Sequence, residues 1–301
     1  MPLIVPNCYG MLNYLNEAML WPDQQGGLQV DEGVAIITMS SNVGFNLTMH
    51  RRGLPIAYMV SLGNRLKFNL HDAIRIFAQQ EQVTALGLFL ETMPDLAAFQ
   101  QAVNYARELG KPIVAMKVGR SPVAQKMVVS HTASLAGSDV LVSALFNRLG
   151  IARVYSLDGL IEALKVLHIL GPLNGGRIAA GSRSGGDLTL LADGMRPPLV
   201  MPQLSKEVTE GLRESVHEWI VPANPFDFQM FDWNDEKQNT KNFHALLAQD
   251  FDIALCLLDY PRNVLLFRGQ RRKIPGLCSK PSEYIWRLGG KLEHRDNWKG
   301  R

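Results

Sequence analysis

Short apolar runs that end in small or turn-forming residues recur along this chain, alternating with stretches of helical period. Residues 34–39 (Val-Ala-Ile-Ile-Thr-Met) form one such run and stop at Ser40-Ser41-Asn42-Val43-Gly44. A run of that length, bounded by small residues, predicts a buried parallel strand entering a loop. The same reading gives strands over 55–60, 85–90 and 112–118, with helices over 45–52, 70–80 and 95–109. Alternation of this kind implies βαβ units and a mostly parallel, doubly wound sheet.

The pattern then restarts. Residues 177–180 (Arg-Ile-Ala-Ala) lead into Gly181-Ser182-Arg183-Ser184-Gly185-Gly186, then a helix over 187–193, and a later strand over 253–258. Two units, about 33–155 and 176–260, therefore share one device: strand, Ser/Gly loop, helix. A helix over 157–170 and the turn Gly171-Pro172-Leu173-Asn174-Gly175-Gly176 read as the link between them. The expected fold class is α/β, with two tandem doubly wound, flavodoxin-like parallel-sheet domains. Residues 1–32 are too short for a domain, and beyond 262 the periodicity gives way to a basic stretch punctuated by Gly and Pro.

Composition changes this picture little. The net charge of +3 divides into +8 over residues 261–301 and −5 over the rest. A basic tail is compatible with nucleic acid, but a solvated end without a partner is the simpler reading, and nucleic acid is not expected as a partner. Three scattered cysteines (Cys8, Cys256, Cys278) make no disulfide framework and no CxxC zinc pair. With no recognisable signal peptide and no apolar run near the roughly 18–20 residues that span a bilayer, a cytoplasmic protein away from membranes is expected.

Two strand–loop–helix junctions are natural anion sites, because loop amides and the first N–H groups of a helix converge there with the positive end of its dipole. Neither a GxGxxG nor a GxxxxGK[ST] is present, and Gly181-Ser182-Arg183-Ser184-Gly185 has arginine where a nucleophile elbow needs serine. Seven dispersed histidines without HExxH predict no metal site. His131 stands out, in Val129-Ser130-His131-Thr132-Ala133-Ser134-Leu135-Ala136-Gly137-Ser138-Asp139, a small-residue stretch read as a loop between the strand over 112–118 and a helix beginning near Asp139. Glu91 ends the strand over 85–90, and ligands bind outside the carboxyl ends of such strands. A carboxylate bonded to one ring nitrogen would fix the tautomer and leave the other as nucleophile; a structural histidine and an exposed carboxylate remain the plain alternatives.

Taken in order, Gly63-Asn64, Leu88-Phe89-Leu90-Glu91, Lys111-Pro112-Ile113-Val114-Ala115-Met116-Lys117-Val118-Gly119-Arg120-Ser121 and Ser130-His131-Thr132 resemble the NDP-forming acyl-CoA synthetases, relatives of succinyl-CoA synthetase. Pro6-Asn7-Cys8-Tyr9-Gly10 looks like the last strand and loop of that family's CoA-binding domain, and Asn224-Pro225-Phe226-Asp227 like the Asn-Pro-Val-Asp of its next domain. The resemblance covers residues 3–262. It implies a remnant of the CoA-binding domain over 1–32, a flavodoxin-like domain with the phosphohistidine over 33–172, an incomplete second ligase domain over 173–262, and a tail over 263–301 outside the family pattern, non-native or disordered.

Residue by residue, the resemblance implies that His131 is the phosphorylated histidine and Glu91 its stabilising carboxylate. Ser40, Ser41, Asn42 and Gly44 match the family's first phosphate-binding loop, and Ser184, Gly185 and Gly186 the second. Asn7 and Cys8 fall where CoA is met. The implied reaction converts acyl-CoA, phosphate and ADP into acid, CoA and ATP with magnesium, through an acyl phosphate and with an ATP-grasp domain or subunit as partner. The chain departs from the family in the Ser41-Asn42-Val43-Gly44 spelling, where Ser-Gln-Ser-Gly is usual, and in Ala133, where Gly often follows His-Thr. Most of the CoA-binding domain and the ATP-grasp domain are not in the sequence. Two readings stay open here: an enzyme component completed by other chains, or a catalytically incomplete remnant or CoA- or anion-binding module without turnover.

Overall fold

The computed structural model describes residues 8–63, 68–93, 95–132, 138–173, 175–231 and 235–257, apart from the side chains of residues 129–132. The basic tail expected over 263–301 lies outside them, as do Asn7 and Asn64. The chain divides into two compact units at Pro172 and Leu173.

Unit 1 is built on strands β1 (Met11–Asn13), β2 (Ala18–Leu20), β3 (Gly33–Thr38), β4 (Ile56–Ser61), β5 (Val83–Leu90), β6 (Ile113–Lys117) and β7 (Ala152–Val154). They form one sheet in the order β2-β1-β4-β3-β5-β6-β7. From β4 to β7 all neighbours are parallel, while β1 is antiparallel to both β4 and β2. The expected boundary at residue 32 thus falls inside a sheet: residues 11–20 form a short hairpin on its edge. Two three-residue strands are too brief for alternation to show in a sequence, which is why they went unpredicted.

Helices α1 (Ser41–Met49), α2 (Leu70–Ala78), α3 (Leu96–Glu108), α4 (Pro122–Thr132), α5 (Asp139–Leu149) and α6 (Leu157–Leu170) connect the strands. Side chains alternate across β3: Ala35 and Ile37 pack with Phe77, Phe99 and Phe146 of α2, α3 and α5, while Val34 and Ile36 pack with Leu47 of α1 and with Leu160, Ile161 and Leu164 of α6. Helix α6, expected as a link between units, is therefore a core helix of unit 1. Its apolar stripe reads the same in sequence whether it meets a sheet or a neighbouring unit.

The stretch expected as a loop around His131 is also corrected, because α4 runs to Thr132. Pro122 suits the first helical position, where no N–H is needed, and the Ser121 hydroxyl accepts from the Ala124 amide at 3.2 Å. Of its described apolar side chains, Val123 and Met127 are exposed and Val128 is buried, which gives the sequence no clear apolar stripe there.

Unit 2 contains β8 (Ile178–Ser182), α7 (Gly185–Gly194), α8 (Lys206–Ser215), β9 (Phe226–Asp227), α9 (Glu236–Leu246) and β10 (Ile253–Leu257). The strands lie parallel in the order β10-β8-β9. Ala179, Leu212, Phe226, Phe228 and Leu246 centre its core. Asn224, preceding a cis proline, ties this unit together through its amide: Oδ1 accepts from Ala180 N at 3.1 Å, and Nδ2 donates to the carbonyls of Ile178 at 2.8 Å and Pro202 at 3.0 Å.

Candidate functional site

In the parallel part of the unit 1 sheet the strand order is second, first, third, fourth, fifth, so the direction of winding reverses between β3 and β5. The crevice outside the carboxyl ends of the strands at such a switch point is where open α/β sheets bind ligands. Ser40 and Ser41 follow β3, and Glu91 follows β5. The two strand ends are joined by Met39 N donating to Phe89 O at 3.0 Å, and the Glu91 amide meets Met39 Sδ at 3.4 Å. The fold thus brings together the predicted first loop and Glu91, which is half-buried.

The loop owes its shape to hydroxyls. Thr38 Oγ1 accepts from Ser40 N at 2.9 Å and donates to Ser40 O at 2.8 Å. Ser40 then caps α1, its Oγ accepting from Val43 N. Ser41 Oγ pairs with Ser61 Oγ at 2.7 Å across the end of β4. The amides of Ser41 and Asn42 open the helix, where backbone donors lack intrahelical acceptors. Gly44 has a packing part: its N–H bonds Ser40 O at 3.0 Å, and an added Cβ would sit 3.0 Å from the Thr38 methyl.

Unit 2 repeats the turn and cap bonds, although the Ser182 hydroxyl donates to Leu257 O at 3.1 Å rather than within the turn. Ser182 Oγ accepts from Ser184 N at 3.0 Å, and Ser184 Oγ accepts from Asp187 N at 3.2 Å to cap α7. Gly185 and Gly186 supply the opening amides. Asp227 Oδ2 stands 2.8 Å from where a Cβ on Gly185 would be, so glycine there admits a carboxylate to the helix start. Nearby Cys256 is free, and burial pushes its thiol up to about 11, with Arg183 lowering it in part; such a thiol is a poor nucleophile at neutral pH.

One further group belongs to the unit 1 rim and carried no role in the sequence reading. Lys117, in register with Leu90, ends β6 and is only 3% exposed. Its Nζ donates to Val118 O at 2.5 Å. Burial lowers its pKa; the Asp139 carboxylate opposes this, Arg153 adds to it, and the Glu91 carboxylate opposes it again. A lysine closing an otherwise apolar strand was the available signal. His131 comes from the last turn of α4, the helix that follows β6; its side chain is outside the described residues. Cys8 is half-buried and free. Among the described residues no group of three His, Cys, Asp or Glu could hold a metal ion. No described helix is long and apolar enough to cross a membrane.

Residues 31–167 match the family model of the succinyl-CoA ligase like flavodoxin domain. A 4-hydroxybutyrate–CoA ligase [ADP-forming] of Nitrosopumilus maritimus is 25% identical over 75% of this chain and 33% of its own length. An acetate–CoA ligase [ADP-forming] of Methanocaldococcus jannaschii is 26% identical over 75% of this chain and 32% of its own. The subunit alpha of acetate–CoA ligase [ADP-forming] II of Pyrococcus furiosus is 25% identical over 86% of this chain and 56% of its own. The chain thus spans about a third of the first two relatives and about half of the third. Among solved structures, acetyl-coenzyme A synthetase 1 of Ca. Korarchaeum cryptofilum, in complex with phosphate and ADP, superposes with TM-score 0.70 at 22% identity, over 86% of this chain and 56% of that one. At that identity the likeness is one of fold.

Proposed function

Since the chain belongs to the NDP-forming acyl-CoA synthetase family, we propose that it carries the phosphoryl group of an ADP-forming acid–CoA ligase on His131. The observation that supports this best is the placing of Glu91 and the Ser40–Ser41 loop at the switch point of the sheet, with the helix bearing His131 following the next strand.

In this reading phosphate cleaves acyl-CoA, giving CoA and an acyl phosphate. A ring nitrogen of neutral His131 then attacks the phosphorus; the N–P bond forms, the P–O bond to the acyl group breaks, and the carboxylate leaves. The Glu91 carboxylate accepts from the other ring nitrogen, fixes the tautomer and stabilises the positive charge on the phosphorylated ring. The terminal oxygen of ADP takes the phosphoryl group, ATP departs, and His131 returns to its neutral form. Amides at the start of α1 and the dipole behind them favour the anionic group, and the Lys117 amine lies buried at the end of β6. CoA and nucleotide are substrates here, with Asn7 and Cys8 assigned to CoA. Magnesium would accompany the nucleotide, and no step is assigned to it on these residues.

A partner chain bearing an ATP-grasp module is part of the proposal; the Pyrococcus furiosus relatives carry subunit designations in their names. The test is ATP formation from acyl-CoA, ADP and phosphate by the chain supplemented with CoA-binding and ATP-grasp partners. His131→Ala should abolish it. Undiminished ATP formation by that variant would overturn the reading.

A further inference from the structure

The stretch that carries His131 leaves the sheet after β6 and returns to it at α5 and β7, and its two ends are tied together. Arg120 immediately precedes the capped start of α4, and Asp139 is the first residue of α5. Arg120 Nε lies 3.9 Å from one oxygen of the Asp139 carboxylate. The other oxygen accepts from Arg153 of β7, whose second terminal nitrogen bonds the Ser143 hydroxyl and, at 3.2 Å, the Asp139 carbonyl. Both guanidinium groups stand over the ring of Tyr155, at 4.4 Å for Arg120 and 5.0 Å for Arg153. One carboxylate and one ring therefore hold two arginines that come from opposite ends of the excursion.

Apolar packing does not do this work. Helix α5 is anchored by Val142, Phe146 and Leu149, but Val140 and Leu141 in its first turn are 76% and 69% exposed. Among the described residues of α4, Val123 and Met127 are exposed as well. The ends of the excursion thus depend on polar contacts, and these differ in strength. The Arg153 side chain is 6% exposed, and removing the partner of a buried charge is costly. The Arg120 leg is half-exposed and is worth less.

We propose that Asp139 is a positioning residue: clasped by Arg120 and Arg153 against Tyr155, it fixes both ends of the stretch that carries His131 and so sets where the histidine is offered for phosphoryl transfer. This rests on the reading of His131 given above. A displacement of the order of 1 Å in a reacting group can cost about 10²-fold in rate, so the clasp bears on kinetics more than on whether unit 1 folds.

The test uses the full chain, with amide hydrogen exchange across residues 121–149 and the rate at which His131 takes label from ATP through an ATP-grasp partner. Asp139→Asn should speed exchange in α4 and the first turn of α5, leave β3–β6 protected, and slow labelling about 10- to 10²-fold. Asp139→Glu should recover part of the rate. Arg120→Met, which breaks only the exposed leg, should give a smaller effect in the same direction and serves if Asp139→Asn does not fold. Wild-type exchange in these variants, or faster exchange with wild-type labelling rates, would overturn the positioning role. Absence of label on the wild-type chain would instead overturn the reading of His131 itself, and the exchange data would still show whether the clasp holds the two ends.

Discussion

The hydroxyl of Ser182 accepts the amide hydrogen of Ser184 at 3.0 Å, reproducing in unit 2 the bond that Thr38 makes to Ser40 in unit 1. In each case a strand-terminal hydroxyl shapes the turn and a serine two residues later caps the helix. Replacing a capping serine by alanine removes an acceptor from an otherwise unpaired amide. Ser184→Ala should destabilise unit 2 by about 0.5–2 kcal/mol, read by chemical denaturation, while Ser182→Ala should cost a comparable amount through the turn. Unchanged midpoints in both would show that the turn is held by something else.

Leu164 of α6 comes so close to β5 that its Cδ1 lies 2.7 Å from where a Cβ on Gly87 would sit. Leu164 is fully buried, so it cannot swing away freely. Gly87→Ala should cost about 1–3 kcal/mol by overpacking, and Leu164→Ala about 2–5 kcal/mol by leaving a cavity. The double variant should lose less than the two losses combined, because the new methyl enters the vacated space. Strict additivity in denaturation measurements would contradict this contact.

His168 of α6 bonds the Thr84 hydroxyl through Nδ1 at 2.9 Å. Burial lowers its pKa below the ordinary 6.5, and Glu32 raises it in part. The fold then favours the neutral ring, so the unfolded chain binds more protons and stability rises with pH. This contribution is fully present above 6.5 and is lost as pH falls from there through the lower folded value. His50 is shifted in the same direction, by burial and by Arg52. Unfolding free energies should decrease as pH is lowered through this range, and less steeply in His168→Gln than in the wild type. Identical slopes would show that His168 does not contribute.

Strands β3–β6, β8 and β10 and helix α6 are legible because each is an apolar run or stripe of adequate length, and Ser40, Ser41 and Glu91 because strand ends are visible in such runs. Less could be read where burial is slight. The α4 helix shows no clear apolar stripe in the sequence, and β1, β2, β7 and β9 are too short to show a period. The Arg120–Asp139 and Arg153–Asp139 contacts join residues 19 and 14 positions apart, and only the fold brings them together. Thr38 and Ser182 looked like ordinary strand residues; their hydroxyls acquire a part once the following turn is seen.

Glu91 tests the chemistry without touching the nucleophile. Glu91→Gln keeps the shape at the end of β5 but removes the charge that would steady the imidazole and offset buried Lys117. Labelling of His131 should slow by roughly 10²–10⁴-fold with the denaturation midpoint little changed. A wild-type rate would make Glu91 a surface carboxylate with no part in transfer.

Phosphorylation of His131 is the central claim and the one most directly measured. The full chain, incubated with labelled ATP, magnesium and an ATP-grasp partner, should acquire label that is lost in acid, survives base and maps to the peptide containing His131. His131→Ala should acquire none. Equal labelling of the two chains, or label that maps elsewhere, would contradict the account.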